Sequence, residues 1–440
     1  MDGTRMIPPL PEEFLARIGT QLGNELPRFL EAMHEAPIRG IRMNPEKNRD
    51  GQPFRDAENK IPWERNGWEL KEDSAAGITV AHEAGAFYLQ DPCAMLPAAV
   101  LNARPGERIL DLCSAPGGKA TQMGLDMQGE GLLVCNEPVP KRAAILSRNI
   151  ERMGIPHTIV TCAYPEKLAD TWEEGFDGVL ADVPCSGEGM FRKNPLSRSE
   201  WTAEKAEGCT GRQRKILDAA ARLVRPGGRL VYSTCSWNPA ENDQMISSFL
   251  ETYPEFTPEP FRLKGISAED GMFLCWPHLL RGEGQFVAKL RRADGERKTL
   301  SENRKAFAVK KDDLLLWEQS GIRTPKPNAL FRNTLVRADF IPELKGIQVI
   351  RLGLHIGEIR GKQMIPDHAA AMNIHRAENQ EISLTDEEAL RYMAGEAIPG
   401  AAKGWTLLTW HGLALGWGKG SDGMIKNHYP KGLRNNKLII

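Results

Sequence analysis

The chain lacks any run of about 18 or more apolar residues, the shortest that spans a bilayer. Its first thirty residues carry Asp2, Glu12, Glu13 and Glu25, where a secretory leader is basic and then apolar. The expectation is a cytoplasmic protein with no membrane contact. Its eight cysteines (93, 113, 135, 162, 185, 209, 235 and 275) contain no CxxC pair, so neither a zinc knuckle nor a disulfide framework is indicated. Any special cysteine must be argued from its neighbours. Low-complexity tracts and internal repeats are also missing. Neither charge is in excess: 57 Lys+Arg face 58 Asp+Glu for a net charge of −1. The total alone says nothing about partners.

What is present is 440 residues, 41% hydrophobic and 26% charged, which is enough for several domains with real cores. The charge balance breaks locally. Arg281 to Lys311 holds ten Lys/Arg against four Asp/Glu, and Lys419 to Lys437 holds five against Asp422 alone, interleaved with His428 and Tyr429. Either could be a solvated loop, but two such segments on a balanced chain point towards phosphate contacts.

Residues 9 to 35 read as helical pieces broken at Pro27, with Phe14, Leu15, Ile18 and Leu22 at helical spacing. From Pro37 to Gly85 the chain is rich in Pro, Gly, Asn and Trp, which suggests short strands and turns. Between Asp91 and Lys289 apolar runs (Arg108–Leu112, Gly131–Glu137, Phe176–Val183, Gly228–Ser233) alternate with helical patterns at Lys141–Met153 and Gln213–Leu223. That alternation predicts a mostly parallel α/β sheet. Such sheets bind ligands beyond the carboxyl ends of their strands. Towards the end, Thr385 and Glu388 have capping-box spacing, and Trp405–Trp410 and Leu413–Trp417 look strand-like.

The strand-end residues carry the chemistry. Arg108–Leu112 runs into Cys113-Ser114-Ala115-Pro116-Gly117-Gly118-Lys119, a small-residue loop that opens a helix and lets backbone approach a ligand closely. Roughly twenty residues on, the next strand ends at Glu137, where a carboxylate can accept from a ribose diol. The loop is neither GxGxxG nor a P-loop, so a nucleoside without phosphates fits best, and S-adenosylmethionine is such a ligand. The third strand ends at Asp182 and is followed by Cys185; the fourth ends at Ser233 and is followed by Cys235. A lone cysteine is more often a small buried hydrophobe than a nucleophile, but adjacent strands could bring these two thiols to one pocket.

These segments resemble the RNA (cytosine-5) methyltransferases of the Sun family. The likeness rests on Ala84-Gly85-Ala86-Phe87-Tyr88-Leu89-Gln90-Asp91-Pro92, the CSAPGGK loop, DVPCSGEGMFRKNP from Asp182 to Pro195, and STCSWNPAEND from Ser233 to Asp243. The end of the chain, from Gly416 to Arg434, is similar to the C-terminal RNA-binding module of the F-type enzymes of that family. The resemblance implies a Rossmann-like methyltransferase core at 91–292. It also implies an N-terminal α+β RNA-binding module at 1–90, a first C-terminal module at 293–380 and a PUA-like module at 381–440. It implies S-adenosylmethionine as cofactor, and 16S ribosomal RNA or the small ribosomal subunit as partner. Cys235 is then the thiolate that attacks carbon 6 of cytosine, and Cys185 the residue that helps remove the carbon-5 proton and release product. Asp182 would contact the base, the cofactor or both, with Lys193 as a neighbour; Cys113 to Lys119 and Glu137 would hold the cofactor, with Arg142 beside them. A thiolate at neutral pH calls for an electropositive, partly exposed pocket at Cys235. One departure stands out. Many relatives carry an Asp after the next strand to reach adenine, whereas Val160-Thr161-Cys162-Ala163-Tyr164 offers no carboxylate, leaving backbone or stacking on Tyr164.

Two other readings compete. A methyltransferase acting on an exocyclic amine would need no thiol, and an RNA-binding assembly factor with a relic catalytic domain would need neither thiols nor loop intact. Nothing in the sequence demands more than a monomer.

Overall fold

The computed structural model describes residues 7–48, 54–296, 298–373 and 380–440. At its centre lies a nine-stranded sheet. Its strands are β1 (Arg108–Asp111), β2 (Leu132–Asn136), β3 (Thr158–Cys162), β4 (Phe176–Asp182), β5 (Val224–Thr234), β6 (Phe256–Pro258), β7 (Met272–Cys275), β8 (Gln285–Arg292) and β9 (Gln348–Leu352). They lie in the order β6-β8-β5-β4-β1-β2-β3-β9, with β7 also paired to β8. The five strands from β5 to β3 in that order are parallel; β8 and β9 run antiparallel to them, and β6 and β7 pair antiparallel with β8. The chain steps outwards from β1 to β3, then returns to the other side of β1 for β4. A crevice therefore opens beyond the carboxyl ends of β1 and β4, where the strand order reverses.

Alternate residues explain why the sheet forms here. Leu110, Val134, Ile159, Val179, Leu230 and Tyr232 point into one buried cluster, and Ile109, Leu133, Val160, Leu180 and Val231 into another on the opposite face. Strands covered on both faces read as continuous apolar runs, and each such side chain contributes about 1.5–3 kcal/mol on burial. Helices Gly118–Asp126, Pro140–Met153 and Ala203–Leu223 are among those that cover it. The second starts with Pro140 in its first turn and stops at Gly154, whose φ is 71°. A Cβ there would sit 2.8 Å from the Met372 carbonyl oxygen, so both backbone conformation and packing require glycine.

Besides a two-stranded ribbon, Phe261–Leu263 with Ile266–Ala268, three smaller sheets surround this core among the described residues. Residues Gly40–Met43, Ala57–Lys60, Gly67–Leu70 and Phe87–Leu89 form an antiparallel sheet near the N-terminus. Ala329–Phe331, Thr334–Arg337, Leu354–Arg360 and Gln363–Pro366 form a second. The third holds Glu381–Ser383, Ile398–Pro399, Gly404–Trp410, Leu413–Ser421 and Met424–Asn427. Its helix Asp386–Ala394 opens with the expected capping box of Thr385 and Glu388. Among the described residues no helix is long and apolar enough to cross a membrane.

The structure departs from the sequence expectation in three places. The N-terminal helix breaks at Gly23–Glu25, not at Pro27, which sits in the first turn of the helix Leu26–Ala32, where a missing N–H costs nothing. Strand β9, from the segment 293–380 expected to form a separate C-terminal module, extends the central sheet against β3. The basic stretch from Arg281 includes a structural strand, β8. Its cations meet carboxylates from elsewhere: Arg281 with Glu69 at 2.9 Å, Lys289 with Glu259 at 3.0 Å, Arg292 with Glu174 at 2.9 Å, and Lys298 with Glu173 at 3.0 Å. Four of the segment's ten cations thus meet carboxylates outside it. Arg297 of that stretch lies outside the described residues.

Candidate active site

Four strand ends converge on the crevice. After β1, Ser114 donates its hydroxyl to Asp111 Oδ2 at 3.0 Å and its N–H to the Asn136 carbonyl at 2.8 Å, so its side chain shapes the loop. Asn136, the last residue of β2, donates to the Leu112 and Ala163 carbonyls. Gly117 adopts φ 112° just before the helix, with the Leu146 side chain 3.1 Å from where a Cβ would lie. Cys113 packs against the core, and burial pushes its thiol far above the usual range. The Ala115 carbonyl accepts from Arg142 at 3.1 Å and that of Pro116 from Asn149 at 2.9 Å.

Asp111 itself is fully buried. Burial, with the nearby Asp182 charge, raises its carboxyl to about 7, and its Oδ1 is buried without a partner. Glu137 is 1% exposed; its Oε1 accepts from the Val139 N–H at 2.9 Å and its Oε2 lies 3.3 Å from Arg142. Tyr164, by contrast, is 74% exposed.

Lys119 reaches from the end of this loop across to β4. Its Nζ donates to Asp182 Oδ2 at 2.8 Å. Asp182 Oδ1 accepts from Ser233 Oγ on β5 at 2.7 Å and from Gln285 Nε2 on β8 at 3.5 Å. This single carboxylate ties the loop after β1 to the ends of three strands. Burial would lower the Lys119 ammonium, but the charges of Asp182 and Cys235 outweigh that and raise it, so the cation expected near Cys235 is Lys119.

The two thiols meet. Cys185 Sγ and Cys235 Sγ are 3.1 Å apart, both half-buried, and the Cys235 N–H points at Cys185 Sγ at 3.3 Å. The hydrogen bond with Cys235, burial and the charges of Cys235 and Glu241 hold the Cys185 thiol well above its ordinary range. Lys193 is exposed and faces the carboxylates of Asp91 and Glu283.

Several residues of the site were not foreseen. Glu241 is fully buried behind the thiols and accepts from Ser186 and Ser236. Arg17 of the helix Glu12–Leu22 pairs with buried Glu188 at 2.6 Å, and Glu188 in turn accepts the Trp237 N–H at 3.1 Å. Arg42, from the N-terminal sheet, is 1% exposed and donates to the Gly118 carbonyl at 3.1 Å and Thr121 Oγ1 at 2.7 Å. Glu241 lies inside the segment from Ser233 to Asp243 and so was within view; Arg17 and Arg42 carry no local signal, because their partners lie far along the chain.

A parallel sheet with this strand order and a nucleoside-type loop at the switch point define a Rossmann-like methyltransferase. A crystallised methyltransferase homologue from Pyrococcus horikoshii has the same fold, with a TM-score of 0.54 and 26% identity over 64% of this chain and 95% of that one. The family described as 16S rRNA methyltransferase RsmB/F matches residues 98–291. The RsmF N-terminal domain matches 10–92, its first C-terminal domain 317–374 and its PUA domain 379–435. The ribosomal RNA small subunit methyltransferase F of Shewanella woodyi is 32% identical over 86% of this chain and 85% of its own length. That of Shigella boydii is 30% identical over 98% of each. The chain belongs to the ribosomal RNA small subunit methyltransferase F family.

Proposed function

We propose that the protein methylates carbon 5 of cytosine in 16S ribosomal RNA through a covalent cysteine adduct. The observation that carries this reading is the pair of thiols at 3.1 Å, at the ends of neighbouring strands, beside the Lys119–Asp182 pair that leads back to the nucleoside loop. An amine methyltransferase has no use for two juxtaposed thiols, and a relic has no reason to retain them.

S-adenosylmethionine is the cofactor, and supplies an electrophilic methyl group on its sulfonium. The residues present fit it. Among the described residues the buried Asp111 Oδ1 has no hydrogen-bond partner, Glu137 Oε2 lies 3.3 Å from Arg142, and the Cys113–Lys119 loop lies at the switch point. Glu137 would hold the ribose and Tyr164 would cover the adenine.

Carbon 5 of cytosine is a weak nucleophile. Addition of the Cys235 thiolate to carbon 6 turns the ring into an enamine that can take the methyl group at carbon 5. Asp182 contacts the polar edge of the base. Once methylated, carbon 5 still carries its proton; Cys185 accepts it, the carbon 6–sulfur bond breaks, and Cys235 departs as thiolate. The target cytosine must leave its stack to meet both thiols, and the N-terminal and PUA modules bind the surrounding RNA by shape and phosphates.

The test uses purified protein, small-subunit RNA and labelled S-adenosylmethionine. Methyl transfer to cytosine, lost in Cys235→Ala, is expected, and Cys185→Ala should accumulate a protein–RNA adduct on a denaturing gel. Undiminished transfer by Cys235→Ala would sink the covalent mechanism.

A further inference from the structure

Each catalytic-site cysteine is followed by a serine, and the two serines share one carboxylate. Ser186 Oγ and Ser236 Oγ lie 2.9 Å apart, and both donate to Glu241 Oε1, at 2.5 and 2.8 Å. Glu241 Oε2 accepts the Ser186 N–H at 2.9 Å and Gln213 Nε2 at 2.8 Å. Gln213, on the helix Ala203–Leu223, also donates to the Pro184 carbonyl at 3.1 Å, so it fastens the Cys185 turn from the other side. Glu241 is anchored in turn: its carbonyl accepts from Tyr232 OH at 2.6 Å, on β5.

The carboxylate is fully buried, and every donor it meets here is neutral. Burying a charge is costly, and replacing a buried ion by apolar packing is often neutral or stabilising. Stability is therefore a poor reason for this group. Geometry is a better one: three donors on two turns fifty residues apart in sequence, with a fourth from Gln213, converge on two oxygen atoms, and the thiols those turns carry are in contact.

We propose that Glu241 is the positioning residue of the two-thiol site. Through Ser186 and Ser236 its carboxylate holds the turns of Cys185 and Cys235 in the arrangement in which both thiols reach one pyrimidine. The inference rests on the two-thiol mechanism above. It also makes the thiols unequal. Cys185 faces Cys235 and Glu241 beyond the end of β5, and Tyr232 on β5. The Lys119 ammonium acts on Cys235. The two thiols thus meet different surroundings.

The experiment compares Glu241→Ala, Glu241→Gln and the double variant Ser186→Ala/Ser236→Ala in the full chain, with Cys235→Ala alongside. A misplacement of about 1 Å costs on the order of 100-fold in rate, so Glu241→Ala should lose roughly that in kcat, with KM for RNA and cofactor affinity within about two-fold. Glutamine keeps an oxygen for the Ser186 N–H and Gln213 and an amide for the hydroxyls, so it should recover most of the rate. Without the charge, Cys185 in that variant should be alkylated by iodoacetamide at lower pH, read by peptide mass spectrometry. If Glu241→Ala does not fold, the serine double variant carries the test with the same expected loss. A kcat within three-fold of wild type in Glu241→Ala or the double variant overturns the proposal. So does a loss that glutamine does not rescue and that cofactor affinity shares. If Cys235→Ala is inactive and Glu241→Ala is not impaired, only the positioning role fails; an active Cys235→Ala removes the two-thiol mechanism and this inference with it.

Discussion

Gly189→Ala is a small change with a calculable effect at the thiols. Gly189 lies in the turn Glu188–Met190, and its N–H donates to the Cys235 carbonyl at 2.9 Å. A Cβ at this position would lie 2.5 Å from the Gly284 carbonyl oxygen, 2.9 Å from Gly284 Cα and 3.0 Å from the Cys235 carbonyl oxygen. Ordinary contact begins at 3.4 Å, so the Gly284 carbonyl must give 3.4 − 2.5 = 0.9 Å and that of Cys235 3.4 − 3.0 = 0.4 Å. All the crowding atoms are backbone, which has no rotamer to escape into. Overpacking of this kind costs about 1–3 kcal/mol, and a shift of a few tenths of an ångström at a nucleophile, scaled from ~100-fold per ångström, costs roughly five- to ten-fold in kcat. Thermal melting and labelled-methyl transfer read the two effects separately. Gly208→Ala is the control: it sits exposed on the helix Ala203–Leu223 with nothing within 4 Å of its Cβ, and should gain about 0.5–1 kcal/mol with unchanged rate. A Gly189→Ala enzyme with wild-type melting and kcat would refute the claim that backbone contact at Gly189 sets the place of Cys235.

Three further outcomes follow from the structure. Burial alone would raise the Glu151 carboxyl, but Arg351 and His368 outweigh it and hold it at about 2 against an ordinary 4.5. A depressed carboxylate stabilises above its unfolded pKa and loses that contribution as pH falls, so Glu151→Gln should cost up to about 3 kcal/mol at pH 7 and progressively less between pH 4.5 and 2. Urea titrations that show a pH-independent difference would contradict it. Tyr164→Ala should weaken cofactor binding by about 0.5–1.5 kcal/mol, as the loss of one stacked ring does, with kcat at saturation retained; unchanged affinity in calorimetry would take adenine away from Tyr164. Lys419 and Lys426 are directly paired across neighbouring strands, with the Lys419 ammonium 5.2 Å from the Trp405 ring centre. Replacing both with alanine should reduce the slope of log affinity for RNA against log salt by roughly 1.4–1.8, and an unaltered slope would remove them from the phosphate contacts.

The parallel core was legible because its strands are buried on both faces, so that Ile109-Leu110, Leu133-Val134 and Val179-Leu180-Ala181 read as apolar runs without knowledge of their neighbours. The thiols and the loop were legible because they follow those runs directly. Strand β8 was misread as a charged segment: Lys289 and Arg292 look solvated in sequence, and their partners, Glu259 and Glu174, lie 30 and 118 residues away. The pairing of Lys119 with Asp182 was not legible for the same reason, the two being 63 residues apart. The supports behind the site, Arg17 on Glu188 and Glu241 on Ser186, span 171 and 55 residues. Local pattern identifies what a residue can do; the company that tunes it is set by topology.

Strand β9 has a consequence for how the protein is made. It is the outer neighbour of β3, yet it begins at residue 348, whereas β3 ends at 162. A further 348 − 162 = 186 residues must emerge from the ribosome before β3 acquires that neighbour. At about 5–20 residues per second the interval is roughly ten to forty seconds. Throughout it, Thr158–Cys162, buried along its whole length in the finished protein, presents an open row of backbone donors and acceptors that a second nascent chain could pair with. A chain truncated ahead of β9 would keep that edge open permanently, so the catalytic core released from its C-terminal region should assemble edge to edge, while the full-length protein is protected by its own late strand.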